Sequence, residues 1–222
     1  MQIYKYIKHC HISRWQDLQF KKSRDVFPKG TILSVVDFAE NYTFSPQKEI
    51  QSEYYHSDQV SIFVHILYRH VELAIDGFDS DENNHEVIKE YHFYISDDRT
   101  HDTCFVQHCF NVIYNDLLKQ RVTFKEHWVW SDGCAGQFKS ARSFYWLSRL
   151  HRKINIQHTW NFFETGHGKG EHDGARACVK RALRRYQLNH SACRLANSLD
   201  VVYWCKGNLS HVSNPRMADV HR

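Results

Sequence analysis

Thr31-Ile32-Leu33-Ser34-Val35-Val36-Asp37-Phe38 follows the turn signal Pro28-Lys29-Gly30 and ends in an acid. Eight residues rich in β-branched and apolar side chains, bounded by a turn, read as a buried strand. The acid sits where such a strand meets solvent. Downstream, residues 58–68 (DQVSIFVHILY) read as a second strand, and Val87 to Ile95 as a third after an acidic loop from Asp76 to Glu86. Asp102 reads as a helix N-cap, with Phe105, Cys109, Val112, Ile113 and Leu117 at helical spacing behind it, so 103–119 is expected to be an amphipathic helix.

The pattern then repeats in a second form. His127 to Trp130 is a short apolar strand, and it too runs into an acid, Asp132. Residues 140–152 are expected to form a helix with Phe144, Leu147 and His151 on one side. Ile154 to Phe163 reads as another strand, and glycines 166, 168, 170 and 174 mark a loop. Ala175, Cys178, Val179, Ala182, Leu183 and Tyr186 give the stripe of a last helix. Val201 to Trp204 could form a short strand. Strands interleaved with helices predict an α/β fold, a mixed sheet of about five strands with helices on both faces. No GxGxxG follows the first strand, which argues against a dinucleotide-binding fold.

The expected organisation is an N-terminal extension over 1–30, a core over 31–190 and a C-terminal extension over 191–222. At 222 residues, with 42% hydrophobic and 14% aromatic residues, the chain can bury a real core. No stretch reaches the roughly 20 apolar residues of a membrane helix, and the first ten residues lack a signal-peptide apolar region. An intracellular protein is expected, with no small-molecule cofactor. The seven cysteines contain no CxxC pair, so buried free thiols are expected rather than disulfides. His9, Cys10 and His11 are adjacent, and three adjacent side chains cannot all turn to one tetrahedral ion.

Charge is unevenly spread. Residues 1–138 carry 14 Lys/Arg against 20 Asp/Glu, whereas residues 139–222 carry 15 against 5. A basic last third suits a phosphate backbone. Asp37 and Asp132 at strand ends suit a shared divalent cation, because neighbouring strands lie about 5 Å apart and hard cations take carboxylate oxygens. A third carboxylate near the last helix would complete a two-metal site for in-line phosphoryl transfer.

Three segments carry a resemblance: Val36-Asp37-Phe38-Ala39-Glu40-Asn41-Tyr42; Trp130-Ser131-Asp132-Gly133-Cys134-Ala135-Gly136-Gln137-Phe138-Lys139; and Trp160 to Gly174, reading WNFFETGHGKGEHDG. In order, these resemble the blocks "vDFaeNy", "sDgcaaQfK" and "wnff.tgHGKg..DG.gg.vKr" of transposon-derived proteins in animal genomes. Those blocks are similar to the three acidic stations of DDE transposases and retroviral integrases. The likeness covers about 31–187 and implies an RNase H-like core in the nucleus. It further implies strand cleavage and strand transfer on DNA, at transposon ends and target, with two Mg²⁺ or Mn²⁺ ions and a homo-oligomeric assembly.

Carried over, the resemblance makes Asp37 and Asp132 metal ligands and Asp173 the third. The residues themselves leave the third station open. A helix beginning at 171 places Glu171 on the stripe of Ala175 and Val179 and Asp173 nearly opposite, whereas a later start makes Asp173 an N-cap. Glu171 is the alternative, and Glu164 a more distant one. Gln137, Lys139, His167 and Lys169 are expected to touch phosphate. Arg176, Lys180, Arg181 and Arg184 are expected on a DNA-facing side of the last helix. The pattern "DG.GG.vK" reads here Asp173-Gly174-Ala175-Arg176-Ala177-Cys178-Val179-Lys180, with two expected glycines lost. Transposases of this kind usually carry an upstream DNA-binding region that nothing here could build. A fragment, a decayed copy and a domesticated protein that only binds DNA are therefore alternatives to an active enzyme.

Overall fold

The structure, a computed structural model, describes residues 2–44, 58–81, 85–164, 170–189 and 195–209. Its elements run α1 (Gln2–Asp25), β1 (Thr31–Phe38), β2 (Tyr42–Thr43), β3 (Gln59–His70), α2 (Leu73–Asp76), β4 (Val87–Ser96), α3 (Thr103–Lys119), β5 (Glu126–Ser131), α4 (Ala141–Ile154), β6 (Gln157–Phe162), α5 (Glu171–Asn189) and α6 (Ser198–Asn208). The fold is α/β. Six strands form a mixed sheet in the order β2-β3-β1-β5-β6, with β4 also pairing β3. β1, β5 and β6 are parallel neighbours, and β2 runs antiparallel to β3.

The chain falls into two compact units. One comprises Met1–Asp37, Val64–His92 and Thr100–His172; the other comprises Phe38–Phe63, Phe93–Arg99 and Asp173–Arg222. In the first unit β1 is buried along nearly its whole length, on both faces, as parallel strands covered on two sides must be. One face of this sheet meets α3. There Ile32, Leu67, Ile113, Leu117 and Val122 form a closed apolar cluster. The Asp102 carboxylate accepts from the Phe105 amide and starts α3 as expected. The other face meets α1, where Phe20 packs edge-on against Trp130 and Phe163 at ring distances of 5.4 Å.

Beneath α3 lies a polar chain that accounts for several of the histidines. Ser34 Oγ bridges His65 Nε2 at 2.6 Å and His127 Nε2 at 2.7 Å. Tyr114 OH then bridges His127 Nδ1 at 2.7 Å and His158 Nε2 at 2.8 Å. Burial holds all three imidazoles below their ordinary pKa, with His158 lowered to about 4.

In the second unit Tyr42 OH donates to the Gln187 side chain, pinning β2 to α5. Asn197 caps α6, and Asp97 accepts from both the amide and the hydroxyl of Ser198.

Several expectations are corrected. Val201 to Trp204 lies inside α6 rather than in a strand, and residues 2–25, for which no element was expected, are a long helix. Ile154 ends α4, so β6 begins only at Gln157. The buried side of α4 is Ser143 and Leu150, while Phe144 and His151 are exposed. Gly174 belongs to α5, not to a loop. Cys178 faces solvent, and the buried stripe of α5 runs through His172, Val179, Leu183 and Gln187. Among the described cysteines, all free, only Cys109 is buried; Cys104, Cys134 and Cys178 are exposed. No helix among the described residues is long and apolar enough to cross a membrane.

Candidate metal centre and its surroundings

The parallel pairing of β1 with β5 positions the first two acids. Thr31 pairs with Glu126 and Val35 with Trp130, a constant offset of 95 residues. Asp37 and Asp132 each follow the last of these pairs by two residues. Side chains alternate between faces with period two. Asp37, within β1, therefore shares a face with Val35, whereas Asp132 follows the last residue of β5. The two acids stand at the same end of adjacent strands.

Their immediate partners differ. The Asp37 side chain is 22% exposed, and Oδ2 lies 3.5 Å from Nε2 of His172, which is 5% exposed. Asp132 Oδ1 accepts from the Cys134 amide at 3.1 Å. That bond opens the turn in which Phe138 and Lys139 donate back to the Cys134 carbonyl. The turn buries Phe138, leaves Gln137 half-buried and exposes Lys139. The Lys139 ammonium sits 5.3 Å above the Phe162 ring.

Glu171 opens α5 inside a network of its own. Its carboxylate receives Lys89 at 2.6 Å and the Tyr68 hydroxyl at 2.9 Å, with Arg24 at 3.7 Å. Burial alone would raise its pKa, but the bonds from Lys89 and Tyr68 outweigh that and hold it below the ordinary value. Glu164 pairs with His9 of α1 at 3.2 Å.

In the second unit, Asp173 lies within the first turn of α5 rather than before it, and pairs with the Arg176 guanidinium at 2.5 Å. Arg176 also donates to the Phe38 carbonyl at 3.4 Å. Lys180 is half-buried. Burial lowers its pKa, with the nearby Glu40 carboxylate acting the other way. Arg181 and Arg184 are exposed. His167 and Lys169 lie outside the described residues.

The structure thus places Asp37 and Asp132 at the same end of two adjacent parallel strands and sets against Asp37 a group absent from the sequence expectation, His172. Its signal was present, since His172 precedes Val179 and Leu183 by seven and eleven residues on the buried stripe. Two carboxylates at adjacent strand ends are hard oxygen donors suited to Mg²⁺ or Mn²⁺. An imidazole against one of them fixes its orientation.

Residues 16–218 match the family model of a domain of unknown function, DUF8701, and the chain belongs to that family. No curated protein and no solved structure matches it.

Proposed function

We propose that this domain is an RNase H-like, DDE-type polynucleotidyl transferase acting on DNA, with a nuclear place of action. The observation that supports the reading best is the parallel pairing of β1 with β5, whose last pair, Val35 with Trp130, stands two residues before Asp37 and Asp132. Asp37 and Asp132 would hold divalent cations, with Asp173 as third carboxylate and Glu171 as its alternative. Such cations supply positive charge to the attacking and leaving oxygens of an in-line displacement at phosphorus. His172 keeps the Asp37 carboxylate turned toward the site. Gln137 and Lys139, on the turn that Asp132 closes, would hold the phosphate of the cut strand, joined by His167 and Lys169. Arg176, Lys180 and Arg184 of α5 would contact the backbone of transposon end or target. In the first step the oxygen of water bonds to phosphorus and the 3′ oxygen leaves. In the second, the freed 3′-hydroxyl attacks a target phosphodiester and expels its 3′ oxygen.

One observation favours a second reading, a remnant that binds DNA without cutting it. Arg176 stands where the resemblance expects glycine, and its guanidinium pairs with Asp173. A carboxylate so neutralised is a poorer cation ligand.

Calorimetric titration of Mn²⁺ into wild type, Asp37→Asn and Asp132→Asn separates the two, with a DNA duplex present and absent. The enzyme reading expects binding by wild type that both variants lose. It also expects duplex cleavage reduced at least about a hundredfold, a loss no smaller than that from disturbing a ligand's support. Salt-sensitive DNA binding should persist in the variants. Wild type that binds no Mn²⁺ even with DNA would leave the remnant. DNA binding lost in step with cleavage would sink the metal assignment.

A further inference from the structure

Between Asp132 and Glu164 the chain carries five Lys/Arg and no acid. The structure shows where these cations go. On α4, Arg142, Tyr145, Arg149 and Arg152 are spaced i, i+3, i+7 and i+10, which gathers them on one side of the helix. All four are exposed, opposite the buried Ser143 and Leu150. Tyr145 is 64% exposed, and the Arg149 guanidinium lies 5.8 Å from its ring centroid, with Nη1 donating to the Tyr145 hydroxyl at 3.2 Å. Around the helix, Phe144 is 48% exposed and its ring meets that of Phe162, the ring under Lys139.

An ordinary solvated helix face alternates both signs of charge and hides its rings. This one has cations only and shows two rings. From Arg142 to Arg152 the helix rises about 15 Å, a span of several phosphates along one strand. A flat ring flanked by guanidinium groups stacks an unpaired base while its neighbours neutralise the adjoining phosphates. A base inside a duplex cannot reach such a ring.

We infer that the outer face of α4 is a binding site for unpaired nucleic-acid strand, with Tyr145 as the stacking platform and Arg142, Arg149 and Arg152 as phosphate contacts. This deepens the DNA reading above and rests on it. It assigns to α4 the single strand that lies beside the cut, next to the Asp132 turn from which the helix starts.

The test measures binding of an oligo-dT of about 20 nucleotides and of a duplex of equal length, in EDTA and over a range of salt. Tyr145→Ala is expected to weaken oligo-dT binding about five- to tenfold and duplex binding less than about twofold, with Tyr145→Phe retaining wild-type affinity. The combined Arg142→Gln, Arg149→Gln and Arg152→Gln variant is expected to reduce the log–log salt slope on oligo-dT by about 2, near 0.7 per lost phosphate contact. Thermal melts of these surface variants check that the fold is kept. Unchanged oligo-dT affinity in Tyr145→Ala, or an equal loss on duplex, overturns the stacking site. An unchanged slope in the triple variant overturns the phosphate contacts. Because the binding is measured in EDTA, it reads the α4 face whether or not the wild type cuts DNA, which keeps the two claims apart.

Discussion

Ser34 has one hydroxyl proton and two imidazole neighbours. It must donate to one of His65 and His127 and accept from the other. Tyr114 stands in the same position between His127 and His158, so the tautomer of each histidine is set by the next. A buried nitrogen left without its partner costs about 1–3 kcal/mol. Ser34→Ala strips a partner from two nitrogens at once and is expected to destabilise the fold by about 2–4 kcal/mol. Urea denaturation measures it, and a change below about 0.5 kcal/mol, the scatter of an ordinary surface substitution, would mean that the bridge contributes nothing net. The candidate site is also decided at single residues. Asp37 and Asp132 were legible because each ends an apolar strand. His172 was passed over because its neighbours Glu171 and Asp173 are the conspicuous acids.

At the scale of elements, α1 shows why a helix can escape a reading of periodicity. Its apolar residues do not line up. Ile3, Tyr4, Tyr6 and Ile7 are exposed, and the packing falls on few side chains, above all Phe20 between Trp130 and Phe163. Phe20→Ala is therefore expected to cost about 2 kcal/mol, below the range for a fully buried ring because Phe20 is only half-buried. A thermal shift of a degree or less would show that α1 contributes little there. α6 escaped for a different reason. Val201, Val202, Tyr203 and Trp204 favour strands locally, but the Asn197 cap and the Asp97 carboxylate on Ser198 hold the helical start. Asp97 is about a hundred residues away in sequence, out of reach of any local pattern.

For the whole molecule, the histidine chain predicts sensitivity to mild acid. Folding lowers the pKa of His65, His127 and His158 from an ordinary value near 6.5. Below pH 6.5 the unfolded chain takes up protons that the folded chain refuses, so stability is full above that pH and falls as pH drops. For His158 the loss continues until the folded ring itself protonates, near pH 4. Between pH 7 and 5.5 His158 alone is expected to cost about 1 kcal/mol of unfolding free energy, and His65 and His127 add to the loss in the same direction. Chemical denaturation across that window checks it, and a flat profile would show that the imidazoles take up protons as readily in the folded chain as in the unfolded one. The depressed acids Asp76, Glu90 and Glu171 act at lower pH, since their contribution is lost only as pH falls through the carboxylate range.

By itself the sequence determined the elements whose periodicity is strong: the apolar strands ending in Asp37 and Asp132, the capped helix behind Asp102 and the long last stripe through Val179 and Leu183. These rest on local burial patterns and on caps within a few residues, which a single stretch of chain specifies. Only the tertiary structure decided that β1 and β5 are parallel neighbours, that His172 faces Asp37, and that Glu171 is held by Lys89, Tyr68 and Arg24. The physical reason is reach. Strand order, register and the ion pairs of Glu171 depend on groups far apart in the chain, which no single stretch specifies.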